Sequence, residues 1–554
     1  MTMSDPETSL TPETSLTRRQ ALTLAAALGA TVSVRPHLAA AQDDATAPQQ
    51  AGEPFSFDAL TDRMREAAGT AFEARPVPED YFRPESYDDY RKVRFRESRT
   101  RWAQDEDARY RLQAFPLGWL FERPVKLHEV VDGEAREMTF TTEDFRYADE
   151  LSDQVDANHE LPGVAGFRLN TPLNRPDHYD ELVSFLGASY FRALGRHSVY
   201  GLSARGVAID TATRRPEEFP DFTAFWLDRQ VNPGAMTIYA ALDGPSIAGA
   251  YRIVIRPGAT TEMDVTARLF PRTEIGQLGI APLTSMFLYS ARNRSDFDDY
   301  RPAVHDSDGL LIERSDGDIL WRPLNNPPRL TGSYFSETSL RRFGLHQRSR
   351  SFEDFEDDGA RYDRRPSLDV TPQGDWGKGV VRLIEIPTET EANDNIVSFW
   401  IPEIPAAAGD ELEFAYRLSW GDLPPERDQT LAFAEATHAG AGGVAGVESP
   451  ENTRKFVIDF VGGMLADLPP EAAEPPRAED DAAAPPGEPA IRPVVNAQGG
   501  EIREATLHRL EETGAWRLAF DVEAPADELV EMSAHVAGFG KKLSEVWLCQ
   551  WINA

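Results

Sequence analysis

The sequence predicts an all-β protein of two units: a large N-terminal β-sandwich and a smaller C-terminal β-sandwich of immunoglobulin type. Three observations carry this expectation. Short segments of alternating polarity recur along most of the 554 residues, turn residues punctuate them, and helical spacing is rare. A chain this long exceeds one ordinary core, so more than one unit is expected.

Taken in order, the N-terminus is an address. Arg18 and Arg19 form a twin-arginine pattern, a mild apolar segment runs from Ala21 to Val34, and Ala39-Ala40-Ala41 suits a signal peptidase. Residues 1–41 are therefore expected to be a Tat signal peptide that delivers the folded protein to the periplasm. A polar tail follows, and Phe57 to Phe72 has helical spacing, with Leu60, Met64 and Ala67-Ala68 on one face. Strand-like segments then succeed one another, among them Val125–Val131, Met236–Leu242 and Tyr251–Ile255, with turns at Asp132-Gly133 and Asn232-Pro233-Gly234. Phe185–Arg192 and Tyr200–Gly206 are dense in glycine, aromatics and arginine, which fits tight sheet packing as well as a ligand-facing surface. Glu218–Trp226 reads as a loop entering another aromatic-rich strand.

The texture changes after Trp400. A Pro/Ala-rich stretch places a boundary near 402–410, between a unit at 53–401 and one at 410–554. Glu411–Leu418 opens the second series of strands, and Trp516–Val522 continues it. Between them 467–489 is rich in Pro, Ala and acidic residues, too poor in apolar surface to order itself, and is expected to be a flexible loop. Cys549 is the single cysteine, so no intramolecular disulfide forms, and its alternating neighbours suggest a core thiol.

The charge restricts the partners. With 57 basic and 92 acidic residues the formal net charge is -35. Such a field repels nucleic acid and anionic lipid. It suits solubility, and equally a high-salt habitat in which self-repulsion is screened. Mean hydropathy is -0.45 and no run of about 18 apolar residues occurs, so no membrane insertion is expected.

The candidate chemistry lies between Leu283 and Trp400. Asp306 and Asp308 stand in His305-Asp306-Ser307-Asp308-Gly309, and Asp394 in Asn393-Asp394-Asn395. Cleaving a glycoside needs a proton on the leaving oxygen and a base to activate water, and two carboxyls in different environments supply both. Asp394, beside an apolar run, suits a partly desolvated acid; Asp306, between His305 and Asp308 and close to Arg301, suits a hydrogen-bonded, ionised base. Planar rings for sugar stacking are offered by Tyr300, Phe343 and Trp376, and polar contacts by Asp308, Arg322, Asn325, Gln347 and Arg365. From the residues alone, Asp-Ser-Asp-Gly is also the pattern of an acidic turn capped by its own side chains, and each ring is equally a core residue. No repeated Asp-x-Asp-x-Asp-Gly loop is present, which disfavours a metal. No cofactor is implied.

The order of motifs resembles one family. Ser184–Ala193, Tyr200–Gly206, His305–Leu310, Arg322–Pro327, Asp375–Gly379 and Phe456–Gly463 are similar to stretches of the periplasmic glucan biosynthesis proteins OpgG and OpgD (MdoG and MdoD), and the Tat-type leader is most like the D branch. The resemblance implies a mutarotase-like, carbohydrate-binding N-terminal sandwich, an immunoglobulin-like C-terminal one, and a role in making osmoregulated periplasmic glucans. It further implies an inverting endo-β-1,2-glucanase acting on β-1,2-glucan, with Asp394 as general acid and Asp306 as base through a water relay. The alternative is a non-catalytic glucan-binding scaffold assisting the inner-membrane glucan glucosyltransferase. Two departures lie near the expected cleft: Asp369 replaces an aromatic after Ser367-Leu368, and Arg341-Arg342 replaces a Lys-Gly pair before Phe343. They bear on rate and chain-length preference.

Overall fold

A computed structural model describes residues 52–105, 108–229, 234–294, 297–425, 430–443, 452–474 and 488–553. The leader and most of the turn at Asn232-Pro233 lie outside the described residues. The regular structure of the described residues is mostly strand, as the alternation predicts. Its strands gather into sheets of sixteen, ten and four, with two small two-stranded pieces.

The sixteen- and ten-stranded sheets face each other. The strands Met236–Asp243, Ile247–Arg256 and Thr261–Pro271 form a meander in the larger sheet. Their inward residues Ile238, Ile253 and Val265 are at most 1% exposed. Leu283, Leu383 and Trp400 supply the facing side from the smaller sheet. Period-two burial on both faces makes one continuous core. The predicted helix spans Phe57–Ala68, capped by Ser56, whose side chain accepts the Ala59 N–H, and it buries Leu60 and Met64 against the meander.

Two expectations about the C-terminal half need correction. Leu412–Gly421, read as the opening of a second unit, lies within the large sheet between Thr261–Pro271 and Ser367–Pro372. The 402–410 stretch is thus a connection within the first architecture, because pairing partners outside the local sequence claim the strand that follows it. The large sheet also continues into the C-terminus: Leu320-Trp321 pairs in parallel with Val546-Trp547, and the strands Leu529–Gly538 and Ile491–Gln498 follow. Against these C-terminal strands packs the four-stranded sheet of Phe433–Ala441, Thr453–Val461, Trp516–Glu523 and Glu501–Arg509. A second core of Trp516, Trp547, Phe456 and Phe520 lies between them. Cys549 is buried there as a free thiol. The first part of the expected 467–489 loop is ordered: 3-10 turns occupy Gly463–Asp467 and Pro470–Ala473. Leu465 is fully buried, and its carbonyl accepts Trp516 Nε1–H at 2.8 Å. Residues 475–487 lie outside the described residues.

Candidate active site

Asp306 and Asp394 come from separate segments and are pinned to consecutive residues. The Asp306 N–H donates to the Met286 carbonyl at 2.8 Å, just beyond the Phe287–His305 strand pair. Asn395, next to Asp394, grips Phe287 from both sides: its Oδ1 accepts the Phe287 N–H at 2.8 Å and its Nδ2 donates to the Phe287 carbonyl at 2.9 Å. A third bond from Asn395 Nδ2 reaches the Ile386 carbonyl at 3.0 Å. A buried amide with both ends satisfied in this way cannot turn without losing bonds. Met286-Phe287 is therefore a backbone rail that holds the two aspartates in register.

Each carboxyl meets its own arginine. Asp306 is 4% exposed and its Oδ1 accepts from Arg365 Nη1 at 2.6 Å. Asp394 is 6% exposed, with Arg192 Nη2 at 3.4 Å from its Oδ2. Arg365 is steered by two bonds to the Ala360 carbonyl and lies over the Tyr362 ring at 4.5 Å. Gly201 makes room for it, since a Cβ there would stand 2.9 Å from Arg365 Cδ. The Gly201 carbonyl in turn accepts from Arg192 Nε at 3.2 Å. The Tyr-Gly-Leu segment thus serves both arginines, and its glycine is explained by close approach.

Burial pushes the Asp306 carboxyl up to about 6; Arg365 pulls it down, Asp394 adds to the rise and Arg192 opposes it. The sequence reading of Asp306 as a hydrogen-bonded base did not foresee this burial. The Arg365 contact exists, but loss of water outweighs it. Neighbouring His305 is pushed down to about 4, first by burial. Its ring is stacked on Phe287 and edge-on to Phe355, so it stays neutral at physiological pH and acts as packing.

The other predicted contacts divide sharply. Gln347 is buried and donates from Nε2 to the His305 and Tyr362 carbonyls, bracing the walls of the site. Asp308 accepts the backbone N–H groups of Arg348 and Ser349 through Oδ2, so it braces a distant segment rather than capping its own turn. Tyr300 is 70% exposed, on a loop that Arg301 ties to Asp299, Asp357 and Glu391 at 2.7–2.8 Å. Three other candidates are engaged elsewhere. Arg322 is 2% exposed and engages Glu385 at 2.8 Å. Phe343 is wholly buried, because its strand is central and its ring points into the main core. Trp376 packs against Trp400, Phe414 and Tyr416 and donates from Nε1 to the Ala415 carbonyl. Asn325 bonds Glu385 through its backbone N–H and faces another cavity.

Sequence reasoning missed Arg192, Asn395 and Gly201 as site residues. Arg192 and Gly201 lie in the two segments noted for glycine, aromatics and arginine, so the composition held a signal but gave no partner. Among the described residues no group of three or more His, Cys, Asp and Glu side chains is arranged to hold a metal ion.

Comparison with known proteins agrees with the order of motifs. The family model described as "Periplasmic glucan biosynthesis protein, MdoG" matches residues 55–551. A protein of Cereibacter sphaeroides named "Glucans biosynthesis protein G" is 55% identical over 512 residues, covering 92% of this chain and 91% of its own. Proteins of the same name from Rhodopseudomonas palustris BisA53 and Shewanella sp. MR-4 are each 42% identical, covering 84% of this chain and 87% and 81% of theirs. These names are of the G branch, where the leader had suggested the D branch.

Proposed function

Because the chain belongs to the family of periplasmic glucan biosynthesis proteins, we propose that it acts on the glucan backbone itself, as an inverting endo-β-1,2-glucanase that controls chain length. The observation that carries this reading is the pair of buried carboxyls on the Met286-Phe287 rail, each facing its own arginine. In the proposed reaction Asp394 protonates the leaving glycosidic oxygen. Asp306 takes the proton from the attacking water, through a relay, on the opposite face of the sugar ring. Arg192 and Arg365 orient the two carboxyls and compensate charge as protons move. The chain reaches the periplasm through its twin-arginine leader at residues 1–41.

One observation favours a second reading. Arg365 at 2.6 Å makes Asp306 half of a tight ion pair, an arrangement that also suits a rigid, non-catalytic glucan-binding protein serving the membrane glucosyltransferase. Linear β-1,2-glucan separates the two. New reducing ends are expected from the wild type, with turnover lower by about 10²–10⁴-fold in Asp394→Asn and in Asp306→Asn while glucan is still bound. Binding without turnover in the wild type, at any salt concentration, would instead support the scaffold.

A further inference from the structure

A second cavity of about 800 Å³ lies beside the loop that leads into Asp394, with Thr388, Asn393, Asn325, Arg292 and Arg454 in its walls. Neither Asp306 nor Asp394 lines it. Its electrostatics are unusual for this molecule. Arg292 is 8% exposed, donates to the Leu324 carbonyl and faces Cys549 Sγ at 3.7 Å, with no ion pair to a carboxylate among the described residues. The nearby acid, Glu385, is taken by Arg322 at 2.8 Å. Arg454 donates from Nη2 to the Arg292 carbonyl at 2.9 Å, and it too forms no ion pair among the described residues. A chain with 92 acidic groups against 57 basic ones has carboxylates to spare, yet the wall holds a single one, the exposed Glu389. A buried guanidinium without a counter-charge is costly unless a ligand supplies one. Around the arginines stand the rings of Phe297 and Trp551 and the amides of Asn325 and Asn393, groups that suit a hydroxylated ring.

We infer that this cavity binds an anionic saccharide, its phosphate or carboxylate held by Arg292 and Arg454 and its sugar ring set against Phe297, Trp551 and the two amides. The sugar half of the inference rests on the glucan reading above; the anion half rests on the two arginines alone. The site carries no bond-breaking groups of its own and is a binding site.

The test is calorimetric titration of the full chain with glucose 6-phosphate, glucose and inorganic phosphate, at low and high salt. Glucose 6-phosphate is expected to bind more tightly than either of the others and to weaken as salt rises. Arg454→Gln, a half-buried position that spares the core, is expected to lose about 10–100-fold in affinity, the value of a hydrogen bond to a charged group. Arg292→Gln is expected to lose at least as much. Equal affinity for glucose and glucose 6-phosphate, inorganic phosphate binding as tightly as the sugar phosphate, or unchanged affinity in Arg454→Gln would each overturn the assignment. Binding is read here without turnover. Failure would leave the Asp306–Asp394 reading standing, and a wild type that does not cut neutral glucan would leave this site standing.

Discussion

At Asp306 two effects compete, and their magnitudes decide the pH behaviour. Burial raises the carboxyl and Arg365 lowers it, with the balance at about 6. The folded chain therefore holds this proton more tightly than the unfolded chain. The stability this group contributes is fully present below the ordinary carboxyl range and is lost as pH rises through about 6. Catalysis runs the other way, since a base must be ionised. In the glucanase reading the rate should climb through an acid limb near pH 6. Arg365→Met removes the lowering influence, so the limb should move to higher pH in a kcat/KM profile. A limb that stays in place would remove Asp306 from the role of base. The two aspartates stood out as candidates in their local motifs, whereas their partners did not. Arg192 and Asp394 lie 202 residues apart in the chain, and Arg365 and Asp306 lie 59 apart. Phe343 and Arg322 were misread for the same reason: an aromatic ring or a guanidinium looks alike in sequence whether it meets a sugar or the core.

At the scale of elements, the two departures from the family pattern meet. Arg342, on the strand Arg342–His346, engages Asp369 on Ser367–Pro372 at 3.0 Å, and Asp369 also bonds His346 Nε2 at 2.7 Å. Gly344 sits opposite Asp369 in the strand register, where a Cβ would meet the Asp369 carboxylate at 2.4 Å. A buried carboxylate needs a cation, and the neighbouring strand supplies one. Arg342→Met alone is expected to destabilise the protein by about 1–3 kcal/mol, because Asp369 loses a charged partner but keeps His346. The double substitution with Asp369→Leu should cost less than the sum of the singles in a denaturant-based double-mutant cycle. Additive costs would show that the two changes are independent. Neither strand's own sequence announces this, since each departure looks like an isolated polar residue in a strand. The pairing appears only when the register is known.

At the scale of the whole molecule, charge and sheet continuity set the behaviour. The net charge of -35 opposes compactness through self-repulsion that salt screens over a Debye length of about 10 Å at 0.1 M. The midpoint of thermal unfolding is therefore expected to rise as sodium chloride is increased from a few millimolar. A flat dependence would show that the ion pairs already offset the repulsion. Continuity of the large sheet through Leu320-Trp321 and Val546-Trp547 ties the C-terminal strands to the rest of the molecule. A screening effect on either part is thereby transmitted to both.

The sequence by itself determined the β class, a helix opening at Phe57, the acidic character and the family, because alternation, helical spacing, composition and ordered motifs are written in neighbouring residues. Only the tertiary structure decided that Leu412–Gly421 joins the large sheet, that Asp306 is buried enough to hold its proton to about 6, and that Arg192 faces Asp394. Each of these depends on which distant strand or side chain removes water from a group. Desolvation and sheet order are properties of contacts across the chain, which no local stretch of residues contains.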